Sequence, residues 1–100
     1  MFSIPLGTME TIFIKKLTPS EKTRHWVIIP RKIRNIFPDN NVNFNIKAGK
    51  KVSTVRIDSL NRLFLGSRVV GDLDLDSPNA CILIRRAPNG EFIVSRKELF

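Results

Sequence analysis

A chain of 100 residues, 42% hydrophobic and 26% charged, is globular and long enough for one core but not for two. Its formal net charge of +8 is uneven, with thirteen Lys or Arg against four acids in residues 1–70 and four against five in residues 71–100. The excess marks a polyanion-binding face in the first two-thirds, while no apolar run approaches the roughly 18 residues that span a bilayer and no long amphipathic helix suits a membrane surface.

Residues 1–10 read as an N-terminal extension, and Met1–Gly7 lacks the basic and apolar regions of a secretory signal. One domain is expected over residues 11–100. Thr11–Leu17 reads as a strand ended by Thr18-Pro19-Ser20, and Ser20-Glu21-Lys22-Thr23-Arg24-His25 as a polar loop. Trp26–Ile29 is a second strand, an unbroken apolar run that stops at Pro30. Pro30–Phe37 predicts a two-turn helix with Pro in its first turn and Ile33, Ile36 and Phe37 on its core face, closed by Pro38. Val42, Phe44 and Ile46 alternate with Asn as a half-buried strand does, and Ala48-Gly49 turns the chain into a strand over Val52–Ile57.

Asp58-Ser59-Leu60-Asn61 predicts a hairpin-like turn into Arg62–Leu65. Residues 67–76 fit either a short helix carrying Val69, Val70 and Leu73 or an alternating strand. Ala80–Arg85 and Glu91–Ser95 are strands joined by Ala87-Pro88-Asn89-Gly90, a hairpin turn with a left-handed Gly. The lone Cys81, inside an apolar run, is expected as a buried thiol of a reducing compartment. The count is about seven strands and one or two short helices, mainly β. So many strands in so short a chain favour a closed or partly closed barrel.

Catalytic constellations are missing from the sequence. One His and one Cys make no zinc set, and there is no nucleophile elbow, phosphate loop or Gly-x-Gly-x-x-Gly run. Asp72-x-Asp74-x-Asp76 opens like a calcium loop but places Ser77 where Gly is needed and Leu83 where Glu is needed. None of the nine acids precedes a Lys by two residues, as a common metal-dependent nuclease motif requires. A non-catalytic protein with no cofactor and no metal is expected.

Phe13-Ile14-Lys15-Lys16-Leu17-Thr18-Pro19-Ser20-Glu21 resembles the opening of the B3 DNA-binding domain of plant transcription factors, Phe-x-Lys-x-Leu-Thr-x-Ser-Asp. Val27-Ile28-Ile29-Pro30-Arg31 is similar to that family's apolar strand ending Ile-Pro-Lys, and Ile36-Phe37-Pro38 to its helix end. Residues 12–38 carry the likeness, with the loop and the helix each one residue shorter than the plant pattern. The resemblance implies a seven-stranded open pseudobarrel with short helices, capable of acting as a monomer. It also implies two arms in the DNA major groove, one between the first two strands and one in a later hairpin. The same pseudobarrel serves as target-recognition or effector domain of some restriction endonucleases. A prokaryotic, cytoplasmic module of that kind is the preferred source, and a nuclear factor the eukaryotic one.

The residues themselves point to the same surfaces. Ser20, Lys22, Thr23, Arg24 and His25 offer donors to base edges, and Arg56, Asp58, Ser59, Asn61 and Arg62 offer a second set from the later turn. Lys15, Lys16, Arg31, Lys32 and Arg34 suit phosphates, which position a protein without reading sequence. Trp26 is expected at the core or barrel mouth.

Three other readings compete. Ile29-Pro30-Arg31-Lys32-Ile33-Arg34 also suits a swapped-hairpin, AbrB-like dimeric regulator or antitoxin, whose unit is about half this length. An RNA-binding barrel would need aromatics exposed on a strand face, and the chain has no Tyr. A protein-interaction module leaves the charge asymmetry unexplained.

Overall fold

In the computed structural model, which describes residues 10–98, the protein is mainly β, with seven strands, two short α-helices and a 3-10 helix. The extension expected at residues 1–10 lies, except for Glu10, outside the described residues. Strands β1 (Glu10–Lys16), β6 (Ala80–Arg86), β7 (Phe92–Glu98), β3 (Phe44–Ala48) and β4 (Lys51–Val55) lie side by side in that order. β3 runs parallel to β7, and the other neighbours are antiparallel. The sheet is open, and a separate two-stranded ribbon of β2 (Trp26–Ile28) and β5 (Arg62–Phe64) lies apart from it. Seven strands that leave the sheet unclosed are compatible with an open pseudobarrel.

Period-two alternation drives the burial. Ile82 and Ile84 of β6, Val94 of β7 and Ile46 of β3 point into one core, joined by Val27 and Leu63 from the ribbon. Cys81 is buried and free, in line with its apolar setting. The β6–β7 hairpin closes as expected, with Gly90 at φ 88° and its N–H donating to Ala87 O at 2.8 Å. Gly49, at φ 64°, turns β3 into β4.

Two expectations change, and one left open between two forms is resolved. Ser20–His25 is not a loop but the helix α1 (Pro19–Arg24) ended by His25. Thr18 and Glu21 form a reciprocal capping box, and Pro19 sits at the helix start, where its missing N–H costs nothing. The segment 31–36 is 3-10 and not α-helical, with Ile33 N–H donating to Pro30 O and Phe37 N–H to Arg34 O, both at 3.2 Å. Three residues per turn set Ile33 and Ile36 on the same side, against the core. Phe37 leaves the helix extended, as a residue before proline must. Residues 67–76, read both ways from sequence, contain the helix α2 (Gly66–Asp72), which buries Val69 and Val70.

The 58–61 turn forms, yet it does not join two strands of one sheet. β4 belongs to the large sheet and β5 to the ribbon, and only an Ile57–Leu63 bridge continues across the turn. Among the described residues, no helix is long and apolar enough to cross a membrane.

Candidate nucleic-acid interface

The ribbon brings the two expected arms onto one surface. Trp26 pairs with Phe64, Val27 with Leu63 and Ile28 with Arg62. Val27 and Leu63 are fully buried, so the alternation leaves Trp26, Ile28, Arg62 and Phe64 on the outer face. There the Trp26 and Phe64 rings meet edge to face at 5.6 Å. The Arg62 guanidinium stands 4.5 Å from the Trp26 ring centre and 5.6 Å from that of Phe64. Arg56 stacks on Phe64 at 5.0 Å and Arg24 reaches Trp26 at 5.8 Å. Three guanidinium groups thus crown two aromatic rings; Arg24 and Arg56 are exposed, Arg56 also donating to Asn41 Oδ1 at 3.4 Å, while the edge of Arg62 is turned to Asp58.

Each arm is braced by one buried carboxylate. Glu21, 2% exposed, accepts from Lys15 Nζ at 2.8 Å, from Thr18 N–H at 2.9 Å and from Ile28 N–H at 2.7 Å. It therefore ties α1 to both β1 and β2. Burial pushes its pKa up, but the Lys15 ammonium and the two backbone donors outweigh that and hold the carboxyl below its ordinary value. Asp58 accepts from Leu60 N–H at 3.0 Å, from Arg62 N–H at 2.9 Å and from Arg62 Nε at 2.6 Å. Desolvation again opposes the charge, and the Arg62 and backbone donors lower the pKa in spite of it. Both acids are structural by these contacts, and the Asp58 oxygens are already engaged rather than free to accept from a cytosine.

The remaining expected residues separate into held and free groups. Lys15 is committed to Glu21. Arg34 donates to Pro38 O at 2.6 Å and Asn40 Oδ1 at 2.7 Å, so it fastens the loop after the 3-10 helix. Thr23 Oγ1 donates to Pro19 O at 3.0 Å within α1. Ser20, Arg31, Lys32 and Ser59 are exposed, and Lys22 is half-buried in the last turn of α1. His25 and Asn61 adopt the left-handed conformation at φ 60° and φ 61° and lie at opposite ends of the ribbon. Backbone bonds fix both, from Leu65 N–H to His25 O at 3.0 Å and from Ile29 N–H to Asn61 O at 2.8 Å.

Between the 3-10 helix and the 58–61 turn opens a cleft of about 670 Å³, lined by Arg31, Arg34, Asn35, Phe37, Asp39, Asn40 and Asn61. Arg31, Arg34 and Asn61, separate candidates in the sequence, meet at this cleft with Asn35, and Phe64 joins the ribbon face. Phe64 was legible in principle, since Arg62-Leu63-Phe64 alternates and places positions 62 and 64 on one face. No protein-family model matches the chain, and no curated protein sequence matches it.

Proposed function

We propose that the protein binds double-stranded DNA in a sequence-dependent manner through the outer face of the β2–β5 ribbon and the two arms that flank it. The observation that carries this reading is the set of Arg24, Arg56 and Arg62 over Trp26 and Phe64. Guanidinium groups are the commonest readers of guanine edges and also neutralise phosphates. Pre-ordering them on rings lowers the entropy lost on binding. Arg31 and Lys32, exposed on the 3-10 helix, extend the positive surface for phosphate contacts. Binding without catalysis is proposed, as in the recognition or effector part of a restriction-type nuclease. The swapped-hairpin alternative leaves the second half idle, whereas Leu63, Ile82, Ile84 and Val94 share one core with Val27 and Ile46.

Trp26 is the only tryptophan, so intrinsic emission reports this face alone. Titration with duplex DNA should change Trp26 emission saturably, and Arg24→Ala should weaken the response. A Trp26 signal indifferent to DNA that is bound by an independent measure would place the interface elsewhere.

A further inference from the structure

The tip of the 58–61 turn carries an exposed apolar residue, and the cleft lies immediately beside it. Leu60 is 63% exposed, although the turn around it is rigid, its own N–H and that of Arg62 being held by Asp58. Its neighbour Asn61 lines the cleft. An exposed apolar side chain carried on a held backbone gains little burial in the free protein. Apolar wedges of this kind enter between base steps and unstack them.

We propose that Leu60 is such a wedge and that the cleft receives one unstacked nucleotide. The proposal rests on the reading of the ribbon face as the duplex-binding surface. The cleft, about 670 Å³ and largely open to solvent, has volume enough for a nucleoside with its phosphate without enclosing it. Its lining is mixed in the way a base edge requires. Asp39 supplies an acceptor for an exocyclic amine or ring N–H. Asn40, whose oxygen accepts from Arg34 Nη2 at 2.7 Å, keeps its amide nitrogen as a donor in the lining. Asn35 and Asn61 can each donate and accept, and Arg31, exposed at the rim, suits the phosphate. Phe37, stacked on Phe92 at 4.8 Å, forms an apolar back wall. A bare phosphate site would not place a carboxylate among its ligands.

The test uses the duplex selected from a random library, with 2-aminopurine placed at one position per oligonucleotide. Duplex binding is followed in parallel by anisotropy. Protein at saturation should raise the fluorescence several-fold at one position and leave the others unchanged. Leu60→Ala, which still binds duplex when folded, and Asn61→Ala, compared at protein concentrations that saturate its weakened binding, should each suppress that rise. A single mismatch at the bright position should tighten binding, since an unpaired base costs less to extrude. Saturating binding with no bright position overturns the nucleotide inference and leaves the duplex-binding reading standing. Persistence of the full rise in both variants also overturns it. Failure to bind any duplex refutes the duplex-binding reading first, and the nucleotide inference with it.

Discussion

The Arg62 guanidinium lies 4.5 Å above the Trp26 ring while its Nε donates to Asp58 Oδ2 at 2.6 Å, so one side chain ties the second arm to the ribbon face. A charged hydrogen bond is worth about 1.5–3 kcal/mol, and a partly exposed cation–ring contact about 0.5–1 kcal/mol. Arg62→Ala should therefore lower stability by roughly 1–3 kcal/mol by urea denaturation, whereas Arg31→Ala should stay within about 0.5 kcal/mol. Arg62→Lys should recover little, because the planar fork that meets both Asp58 and the ring is lost. Equal stability of Arg62→Ala and Arg31→Ala would contradict the bracing role.

Glu21 makes stability depend on acid. Its folded pKa lies below the ordinary value of 4.5, so the ionised carboxylate stabilises the fold above the unfolded pKa. That contribution should fade as pH falls below about 4.5 and through the lower folded value. Glu21→Gln removes the ion pair with Lys15 and should cost roughly 1–3 kcal/mol at neutral pH, with less left to lose on acidification. Melting curves from pH 7 to pH 3 of both proteins should converge towards the acid end. Parallel curves would show that another group governs the acid limb.

Much of the fold was legible in the sequence, and the misses have physical causes. Alternation marks β3, and apolar runs bounded by turn signals mark β1, β6 and β7 to within a few residues; β6 buries Ala80, Cys81 and Ile82 in succession and so does not alternate strictly. Helix α1 is masked because Pro19 also ends a strand, although Thr18 and Glu21 stand at the spacing of a capping box. The 3-10 geometry of Arg31–Ile36 differs from an α-helix only in the i+3 bonding that its Ile spacing suits. Pairing of β2 with β5 joins residues about as far apart as 26 and 64, and no local pattern encodes it. For the same reason the sequence singles out Arg24, Arg56 and Arg62 but does not encode their meeting over Trp26 and Phe64.

The register of the ribbon predicts opposite outcomes on its two faces, at Leu63 (paired with Val27) and at Ile28 (paired with Arg62). Leu63 is fully buried and Ile28 is 38% exposed. Leu63→Ala should cost about 2–5 kcal/mol through lost burial and a residual cavity. Ile28→Ala should cost under about 1 kcal/mol, because its side chain faces outward. Chemical denaturation of the two variants decides the matter, and comparable losses would mean a register shifted by one residue.

Reading and holding should separate among the basic residues. Arg24→Ala and Asn61→Ala should each cost roughly 1–3 kcal/mol on the preferred duplex and much less on random duplex. Lys32→Ala should weaken both alike and reduce the salt slope by about one unit. Arg62→Ala will also lower specific binding, but part of that loss belongs to the arm's stability, so it needs measurement well below the melting temperature. Proportional losses on both kinds of DNA in every variant would describe an electrostatic binder without sequence preference.

The claim that this face binds duplex DNA by sequence is tested most directly by selection from a random duplex library. Competition at fixed salt and a salt titration of the selected site complete the measurement. One enriched motif is expected, bound more tightly than random duplex. Neutralising about six to eight phosphates should give a log–log salt slope of about −5 to −7. No enrichment after repeated rounds, together with equal affinity for single-stranded RNA, would contradict it.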